Sequence, residues 1–563
     1  MGSAQIDKTG IEFSKYVFLI DSDKLDEVST DLFGFVVTEH GLYTRDNMQQ
    51  LSPGSLDGTG TYVYVERHDN VIRIHQDFSG NMGLYLYSDN SGKFVISNSF
   101  YQLFMYVKDK YSLTFNKDFA NQFMTTWITS LSFDNTAINE IELIPSHGRI
   151  DIDISERSYK VEYLNHELNS IPLNSIKALT ILDKWYKKWI SIIRGLADNT
   201  DQIEVDLSGG FDSRLVFIFI LKSGVDLNRI FIRSLNDGLH THAEDYAIAS
   251  DMADHYGFKL NNETMLDNRH RNLSKEDVYS ITRHTKWSFH KEWTFPNFVR
   301  TAARFYFGGF GGETIRPYWD MSPQDLIKKE CRAADYAPDN VSQELKLSVK
   351  NILDHTFSKI KAKYHITTED DTDYSFNTFR ECYSRNHFGK ICYEALFTNT
   401  FKVSPIMDPD LQKLKLNDER CPDKNLLIAL IFSRYGKDLL QFRFDGGREF
   451  KKETIQEAER INHKYSILLP ILRRLAKSDN KFEFPVIAGA EPDQTKAISR
   501  KEMEGEMYGL FCSNEFKEAF LKVFNISTYD HVHTFADKKP YFPLRHIYSA
   551  VPLTRIHEEI NQI

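Results

Sequence analysis

The chain has few cysteines, and their spacing does not suggest metal ligands or disulfide partners. Its five cysteines in 563 residues are scattered, with no CxxC pair, which argues against zinc and disulfides and favours a reducing, cytoplasmic location. No apolar run is long enough to cross a bilayer, and no signal peptide is recognised. The net charge of −10 disfavours wrapping of a nucleic-acid backbone, so no nucleic-acid partner is expected.

What is present is the composition of a large globular protein. Hydrophobic residues make up 41% of the chain and charged residues 26%, as in ordinary globular proteins. A length of 563 residues allows two or three domains with large cores. The 41 phenylalanines and 28 tyrosines are expected mainly in those cores.

The order of sequence patterns predicts two regions of different architecture. Short β-rich runs separated by turns, from about residue 15 to residue 165, predict an antiparallel sheet or sandwich. From Gln202 onward, strands and helices alternate, which predicts a doubly wound parallel sheet with its ligand at the carboxyl ends of the strands. Residues 229–233 are the expected second strand of that sheet, and residues 257–260 are expected to lead into the third. After about residue 295 the chain is predicted to be mostly helical.

The most informative feature is the run Ser208-Gly209-Gly210-Phe211-Asp212-Ser213. It follows an apolar stretch ending at Leu207 and precedes a predicted helix, so backbone N–H groups and a helix N-terminus would converge on one point suited to a polyphosphate. Ser208 and Ser213 add hydroxyl donors, and Asp212 is suited to hold a Mg²⁺ that bridges phosphate oxygens. The glycines are not followed by Lys-Ser or Lys-Thr, so this is not the Walker pattern. The alternative is an ordinary Gly-Gly turn.

In its strand–turn–helix context this run resembles the pyrophosphate loop of N-type ATP pyrophosphatases, in particular the asparagine-synthetase-like amide ligases. The resemblance covers most of the chain and implies a two-domain α/β fold. It implies a β-rich, N-terminal-nucleophile-like sandwich of the glutaminase type in residues 1–165. Residues 166–455 would form an ATP-pyrophosphatase synthetase domain with a doubly wound parallel sheet and a large helical lobe. Residues 456–563 would be a mostly helical extension of it.

The N-terminal region resembles a glutaminase domain that lacks its nucleophile. Residues 77–99 and 143–148 are similar to the hairpin and the closing turn of that domain. Working members of the family need a cysteine at the exposed N-terminus, whereas this chain has Gly2 after its methionine and no cysteine before Cys331. If the printed start is native, or is a fusion onto the native start, we expect no glutaminase activity. β-Lactam synthetases and lasso-peptide cyclases, which resemble this branch, show the same loss.

The resemblance also implies ATP and Mg²⁺ as cofactors and indicates the residues that would bind them. Ser234 and Leu235 fall where the family presents backbone to adenine, and Asp245 falls near an acidic position suited to orienting the loop. Asp212 and Glu313 would hold the Mg²⁺. The residues implied to contact the nucleotide are Leu207, Ser208, Gly209, Gly210, Asp212, Ser213, Ser234, Leu235, Gly309 and Gly311.

The segment Gly308-Gly309-Phe310-Gly311-Gly312-Glu313-Thr314 resembles the second glycine-rich loop of the family. Glycines there would let the backbone approach the pyrophosphate closely. Phe310 stands where asparagine synthetases have an acid near the acceptor, so aspartate is not the expected substrate. A simple turn between two helices is the alternative for this segment.

Residues 424–450 resemble the stretch that ends in the family's catalytic basic residue, which stabilises charge on the adenylate. Arg443, Arg448 and Lys451 all qualify, and Arg448 is preferred because Gly446-Gly447 permits close approach. Tyr318 is the candidate for helping to deprotonate the incoming amine. Other candidates near the pocket are His284, His290 and Glu292, and surface or core roles remain open for all of these residues.

Two further predictions concern the lobe around the sheet. Asp408 is expected to cap a helix in the segment that resembles the family's packing motif against the sheet. The aromatic residues of this region are predicted either to stack on a sugar ring or to belong to the core; they are Trp287, Phe289, Trp293, Phe295, Tyr318 and Trp319.

The sequence therefore predicts an AMP-forming amide ligase that adenylates a carboxylate and transfers it to an amine or ammonia. The carboxylate partner could belong to a peptide, a natural-product precursor or a uronic acid of a surface polysaccharide, and a homodimer is left open. The main alternative is an inactive scaffold protein that keeps the fold without the chemistry. A third reading, RNA thiolation, would require catalytic cysteines and a basic surface, and neither is evident.

Overall fold

The computed structural model describes residues 12–51, 58–126, 128–163, 168, 170–266, 270–291, 298–300, 303–316, 318–337, 339–367, 372–416, 424–465, 482–485, 500–524, 528–530, 532 and 543–561. These residues form a mixed α/β structure with several sheets, which confirms the predicted class. The strands are β1 (Leu19–Asp21), β2 (Asp31–Thr38), β3 (Gly41–Thr44), β4 (Thr59–His68), β5 (Val71–Gln76), β6 (Tyr85–Ser88), β7 (Phe94–Ser97), β8 (Ile141–Leu143), β9 (Gly148–Asp153), β10 (Ser158–Tyr163), β11 (Ile203–Asp206), β12 (Phe231–Arg233), β13 (His270–Asn272), β14 (Phe298–Arg300), β15 (Arg304–Phe307) and β16 (Thr400–Val403).

The helices are α1 (Phe100–Val107), α2 (Lys117–Thr125), α3 (Ile176–Asn199), α4 (Phe211–Ser223), α5 (His240–Tyr256), α6 (Lys275–Lys286), α7 (Pro323–Glu330), α8 (Asp339–Tyr364), α9 (Asp373–Thr378), α10 (Lys390–Leu396), α11 (Pro409–Gln412), α12 (Leu426–Tyr435), α13 (Lys452–Lys464), α14 (Arg500–Phe511), α15 (Asn514–Val523) and α16 (Pro543–Asn561). Several begin at a side chain that accepts a hydrogen bond from the first turn, as Ser175 does for α3. None of the helices in these described ranges is long and apolar enough to cross a membrane.

The N-terminal strands form two antiparallel sheets. Their strand orders are β1-β7-β6-β8 and β10-β9-β5-β4-β2-β3. In β5, Ile72 and Ile74 are buried while Arg73 between them is exposed, which is the alternation expected of a strand with one face in the core. The two sheets face each other across a shared core, where the rings of Phe18 and Phe33 lie 4.9 Å apart. The sequence pattern missed α1 and α2, which lie within this β-rich region.

The remaining large sheet is parallel, with strand order β12-β11-β15-β16. Its first two strands agree with the prediction, but the expected third strand after residues 257–260 is wrong. There the chain turns through Asn261, whose φ is +56°, and β13 then pairs with β14 in a separate antiparallel ribbon. The prediction that the chain is mostly helical after residue 295 also missed β15 and β16, which make up half of this sheet.

One hydrophobic core joins the six-stranded antiparallel sheet to the parallel sheet. Phe35 on β2 meets Phe401 on β16 edge to face, with ring centroids 5.0 Å apart, and Phe401 stacks on Phe305 of β15 at 5.2 Å. Buried residues of both sheets belong to the same cluster. The N-terminal region and the parallel sheet are therefore packed on each other through apolar contacts, which is the main stabilising term in such an interface.

A π-helix, Phe379–Gly389, links α9 to α10. It lies against the N-terminal region, because the buried Arg385 donates hydrogen bonds to the carbonyls of Phe133 at 2.6 Å and Ile144 at 3.2 Å. At the start of α10, Lys390 donates to the carbonyl of Met82 at 2.6 Å. Runs of π-helix are rare and often occur at functional sites.

Candidate functional site

The loops that follow three of the parallel strands, β11, β15 and β16, meet at one edge of the sheet. After β11 comes Leu207 and then the turn into α4, whose N-cap is Gly210. After β15 comes the second glycine-rich loop, and β16 is followed by Ser404 and a short turn that includes Met407. Met407 touches the second loop, since a Cβ placed on Gly311 would lie 2.0 Å from its sulfur. The carboxyl edge of a parallel sheet is where ligands of such folds bind.

The first loop has the predicted strand–turn–helix geometry and is closed by its own hydroxyl groups. The Ser208 and Ser213 hydroxyl oxygens lie 2.8 Å apart, and the Ser208 N–H donates to Ser213 Oγ at 3.1 Å. The Gly210 N–H donates to Ser208 Oγ at 3.2 Å. This compact turn delivers the chain into α4, whose first-turn N–H groups have no helical acceptor and favour an anion.

Two side chains fix Gly209 of this loop from outside. The Gly209 N–H donates to Asp245 Oδ1 at 2.7 Å, which is the orienting contact expected of Asp245. The Gly209 carbonyl accepts from Arg214 Nη2 at 3.0 Å. The sequence analysis missed Arg214, which is fully buried, donates to the carbonyl of Arg443 at 2.6 Å and lies 3.9 Å from the ring centroid of Phe444. Burial lowers the pKa of Arg214 to about 10, so it is still charged at neutral pH.

The second glycine-rich loop packs directly on the first. A Cβ on Gly312 would lie 2.0 Å from Asp212 Cγ, and a Cβ on Gly309 would lie 2.5 Å from the Ser213 backbone nitrogen. Such distances leave no room for any side chain, so the glycines at these positions are required by close approach. The loop is thus part of the same site and not an isolated turn between helices.

The two carboxylates predicted to hold Mg²⁺ are neighbours in the structure. Burial, and after it the negative charge of Asp212, raises the pKa of Glu313 to about 7. Glu313 Oε2 is buried without a hydrogen-bond partner. Asp212 accepts two hydrogen bonds from Arg316, at 3.2 Å from Nε and 2.8 Å from Nη2. Arg316 was missed because nothing in the local sequence links it to a loop 104 residues earlier.

The donor set fits a magnesium ion that is shared with phosphate. Glu313 Oε2 has no hydrogen-bond partner, and Glu313 and Asp212 repel each other. A bound cation would contact this oxygen and remove the repulsion. Within the described parts of the chain, no group of three or more His, Cys, Asp or Glu could hold a metal. Two carboxylates would therefore supply only part of the shell, with phosphate and water completing it as is usual for Mg²⁺. Arg316 is the group that a cation would have to displace or share.

We predict that Glu313→Gln changes how stability depends on pH in metal-free protein. Because the folded-state pKa of Glu313 is raised from 4.5 to about 7, the folded chain holds a proton that the unfolded chain has released. As pH rises from 4.5 through 7, the free energy of unfolding of the wild type therefore falls relative to that of the variant. The full difference, reached above pH 7, is about 3 kcal/mol. Urea unfolding with EDTA at pH 5 and pH 8 measures this effect. A difference in unfolding free energy between the two proteins that is the same at both pH values would contradict the prediction.

Arg448 is the basic candidate that lies at the first loop. Its Nη2 lies 3.8 Å from where a Cβ on Gly210 would be, and its guanidinium pairs with Asp445. The Asp445 N–H in turn donates to the Gly209 carbonyl at 3.2 Å. Gly446 and Gly447 both have positive φ, 62° and 64°, and allow this tight approach.

The other two basic candidates are placed differently. Arg443 is exposed and meets the loop through its carbonyl, which accepts from Arg214. Lys451 is exposed and forms the N-cap position of α13. The structure therefore brings Arg448 to the loop by its side chain, while a catalytic role for Lys451 stays a prediction.

The expected adenine edge is partly occupied by a side chain of the protein. The Ser234 N–H donates to Asn261 Oδ1 at 2.9 Å, and Asn261 Nδ2 donates to the Ser234 carbonyl at 3.0 Å. Leu235, next along the chain, is 53% exposed. Of the two residues, Leu235 is thus the one open to an incoming base.

The remaining candidates divide between the site and the core. Tyr318 is 59% exposed, and its ring lies 5.4 Å from Phe379 on the π-helix. His284 is half-buried, and desolvation lowers its pKa to about 4. Phe289 packs on Phe100 in the core at 5.6 Å. His290 stacks on His387 at 5.0 Å.

Two other aromatic candidates also have core contacts. Trp287 packs against the ring of Phe104, and Trp319 packs against Phe379 and is almost fully buried. For Trp287, Phe289 and Trp319, these contacts agree with the core alternative. Glu292, Trp293 and Phe295 lie outside the described residues.

Asp408 caps a helix as predicted, because its Oδ1 accepts from the Asp410 N–H at 3.0 Å at the start of α11. Its Oδ2 accepts from Trp189 Nε1 at 2.7 Å and from Lys188 at 2.9 Å. It therefore ties α3 to the segment that follows β16, which is a structural role.

Comparisons of the chain with protein-family models and with curated protein sequences find no match. The function of the site is therefore inferred from its own residues and their geometry.

Proposed function

We propose that this protein is an ATP-dependent, AMP-forming amide ligase of the asparagine-synthetase-like kind. The observation that supports it best is the contact of two glycine-rich loops around Asp212, at the carboxyl edge of a parallel sheet. The strand order, with β12 and β15 on opposite sides of β11, is in keeping with a doubly wound sheet. The two facing antiparallel sheets are in keeping with an N-terminal-nucleophile-like sandwich.

In the first step a carboxylate oxygen of the acceptor attacks the α-phosphorus of ATP. The new O–P bond forms as the bond between the α-phosphorus and the bridging oxygen breaks, and pyrophosphate leaves. The first-turn N–H groups of α4 and the hydroxyls of Ser208 and Ser213 hold the departing pyrophosphate. Arg448 stabilises negative charge that builds up at the α-phosphate. A magnesium ion held by Asp212 and Glu313 would neutralise phosphate charge.

In the second step a neutral amine or ammonia attacks the acyl carbon, the C–N bond forms and AMP leaves. The amine proton must be accepted by a base or by water, and our candidate to relay it is Tyr318, which is exposed and follows Arg316 by two residues. Catalysis is mainly positioning and charge stabilisation, as the rigid contacts of both loops would allow. Free ammonia or a free amine is the donor that we assign to this step.

The direct test is product analysis with purified protein, Mg-ATP, ammonia and a panel of carboxylic acids. We expect AMP and pyrophosphate in equal amounts with the amide, only when the right acid is present. Formation of ADP and phosphate in place of AMP would overturn the proposal, because it would mean attack at the γ-phosphorus.

An inactive scaffold protein is the second candidate, and the ion pair of Arg316 with Asp212 favours it. In that arrangement the guanidinium of Arg316 takes the position beside Asp212 that a cation would need. The same assay separates the two, because a scaffold would bind nucleotide without forming AMP. If Arg316→Gln then raised the affinity for Mg²⁺ but still gave no AMP, the scaffold would be supported.

A further inference from the structure

A cleft lies between the N-terminal region and the π-helix. One wall carries Ser79, Ser146 and His147 from turns of the antiparallel sheets, and the other carries Arg380, Glu381 and Ser384 from the π-helix. Thr314, which directly follows Glu313 in the second glycine-rich loop, closes the end nearest the proposed ATP site. The function proposed above uses none of these groups.

The acidic group of the cleft is already fully engaged. Glu381 Oε1 accepts from Lys363 and from the Tyr364 hydroxyl, and its Oε2 accepts from Ser146 Oγ at 3.0 Å. Burial disfavours ionisation of Glu381, but the charges of Lys363 and His147 outweigh it and hold its pKa well below the usual range. Glu381 therefore neutralises Lys363 and has no capacity left for a ligand cation.

Because Glu381 and Lys363 neutralise each other, Arg380 supplies the positive charge that is left in the cleft. Its Nη2 donates to a neutral group, Gln412 Oε1, at 2.6 Å, and among the described residues no ion pair joins it to a carboxylate. Gln412 Nε2 donates onward to Thr314 Oγ1 at 2.9 Å, and Thr314 donates to the Gly311 carbonyl at 2.6 Å. A hydrogen-bonded chain thus runs from Arg380 to the loop that packs on Asp212.

Hydroxyl groups make up much of the remaining lining. Ser79, Ser146, Ser384 and Thr314 all face the cleft. Ser384 is only 3% exposed, and its Oγ has no hydrogen-bond partner. A buried hydroxyl without a partner costs free energy that a ligand hydroxyl would recover. Its position on a π-helix is also typical of a binding site.

We propose that this cleft binds the acceptor acid, and that the acceptor is a small hydroxylated monocarboxylate of the sugar-acid class. One uncompensated guanidinium matches one carboxylate. The hydroxyls of Ser79 and Ser384, which the contacts above leave unused, match hydroxyls on the carbon chain of the acid. A zwitterionic amino acid is disfavoured, because its ammonium group would find no free anion there. The identity of the acceptor rests on the proposed ligase function, whereas binding in the cleft does not.

The test is calorimetric titration of the full chain, without nucleotide, against three probes at pH 7. D-glucuronate represents the proposed class, D-glucose is its neutral counterpart, and L-glutamate is an amino acid. We expect binding of glucuronate only, and at least a tenfold loss of affinity in Arg380→Gln. The control is Arg460→Gln, in which an exposed arginine that pairs with Glu457 on α13 is replaced. Circular dichroism confirms that both variants fold.

Equal binding of glutamate and glucuronate would overturn the assigned class. Glucuronate binding that survives in Arg380→Gln, or no binding of glucuronate by wild type, would overturn the cleft as the site. Titration with a non-hydrolysable ATP analogue and Mg²⁺ is run in parallel. If the analogue fails to bind while glucuronate binds through Arg380, the ligase proposal fails and the cleft stands as a sugar-acid site.

Discussion

Asp212→Asn is expected to lower the rate of AMP formation by about 10²–10³-fold, the usual cost of removing one group that stabilises charge in a transition state. Asparagine keeps the size of the side chain but removes the negative charge that would hold the cation. It also replaces one of the two oxygens that accept from Arg316 with an amide N–H₂, so one of these contacts becomes a donor facing a donor. Both changes act at the point where the two loops meet.

The rate should be measured with saturating ATP and acceptor over a range of Mg²⁺ concentrations, so that weaker metal binding is separated from slower chemistry. Asp254→Asn on α5, an exposed position, is the matched control and should retain the wild-type rate. Unfolding of both variants checks that the fold is kept. A rate in Asp212→Asn within a fewfold of wild type would mean that this carboxylate has no part in the reaction.

Gly312→Ala is expected to lower the rate of AMP formation by about 10²-fold and to destabilise the protein by about 1–3 kcal/mol, the usual cost of overpacking a tight interior. The added methyl would lie 2.0 Å from Asp212 Cγ, so Asp212 or the second loop must move. Gly312 has no positive φ to complicate the comparison, and the effect is therefore steric. A displacement of about 1 Å at reacting groups is enough to cost a factor near 10² in rate.

The matched control is Gly505→Ala on α14, where an added Cβ meets nothing within 4 Å. There alanine should stabilise the helix by about 0.5–1 kcal/mol and leave AMP formation unchanged. Thermal unfolding and product assays on both variants give the comparison. Gly312→Ala with normal activity would show that the loops need not approach each other closely.

The parts of the site that could be predicted from the sequence are those formed by a few consecutive residues. The turn from Leu207 to Gly210 lies between a strand and a helix that can each be recognised locally, and the glycine run at 308–312 is visible by composition. Arg448 was preferred among three basic residues because two glycines precede it, and its side chain does reach the loop. Local pattern was sufficient in each case.

The features that the sequence did not predict depend on contacts between distant residues, or belong to elements too short to show a pattern. Arg316 meets Asp212 across 104 positions, and Arg214 is recognisable only by the carbonyls that surround it. The strands β15 and β16 have four residues each, too few to show a period of two within an aromatic-rich segment. The π-helix has the composition of any helix, so its extra residue per turn leaves no trace in the pattern.

The contact between Phe35 and Phe401 has a consequence for how the gene can change. If the N-terminal region were deleted, the apolar surface that its side chains cover on the parallel sheet would be exposed to water. Deleting residues 1–165 should therefore give insoluble material. The packing of the two regions on each other is thus by itself a reason for the N-terminal region to be kept.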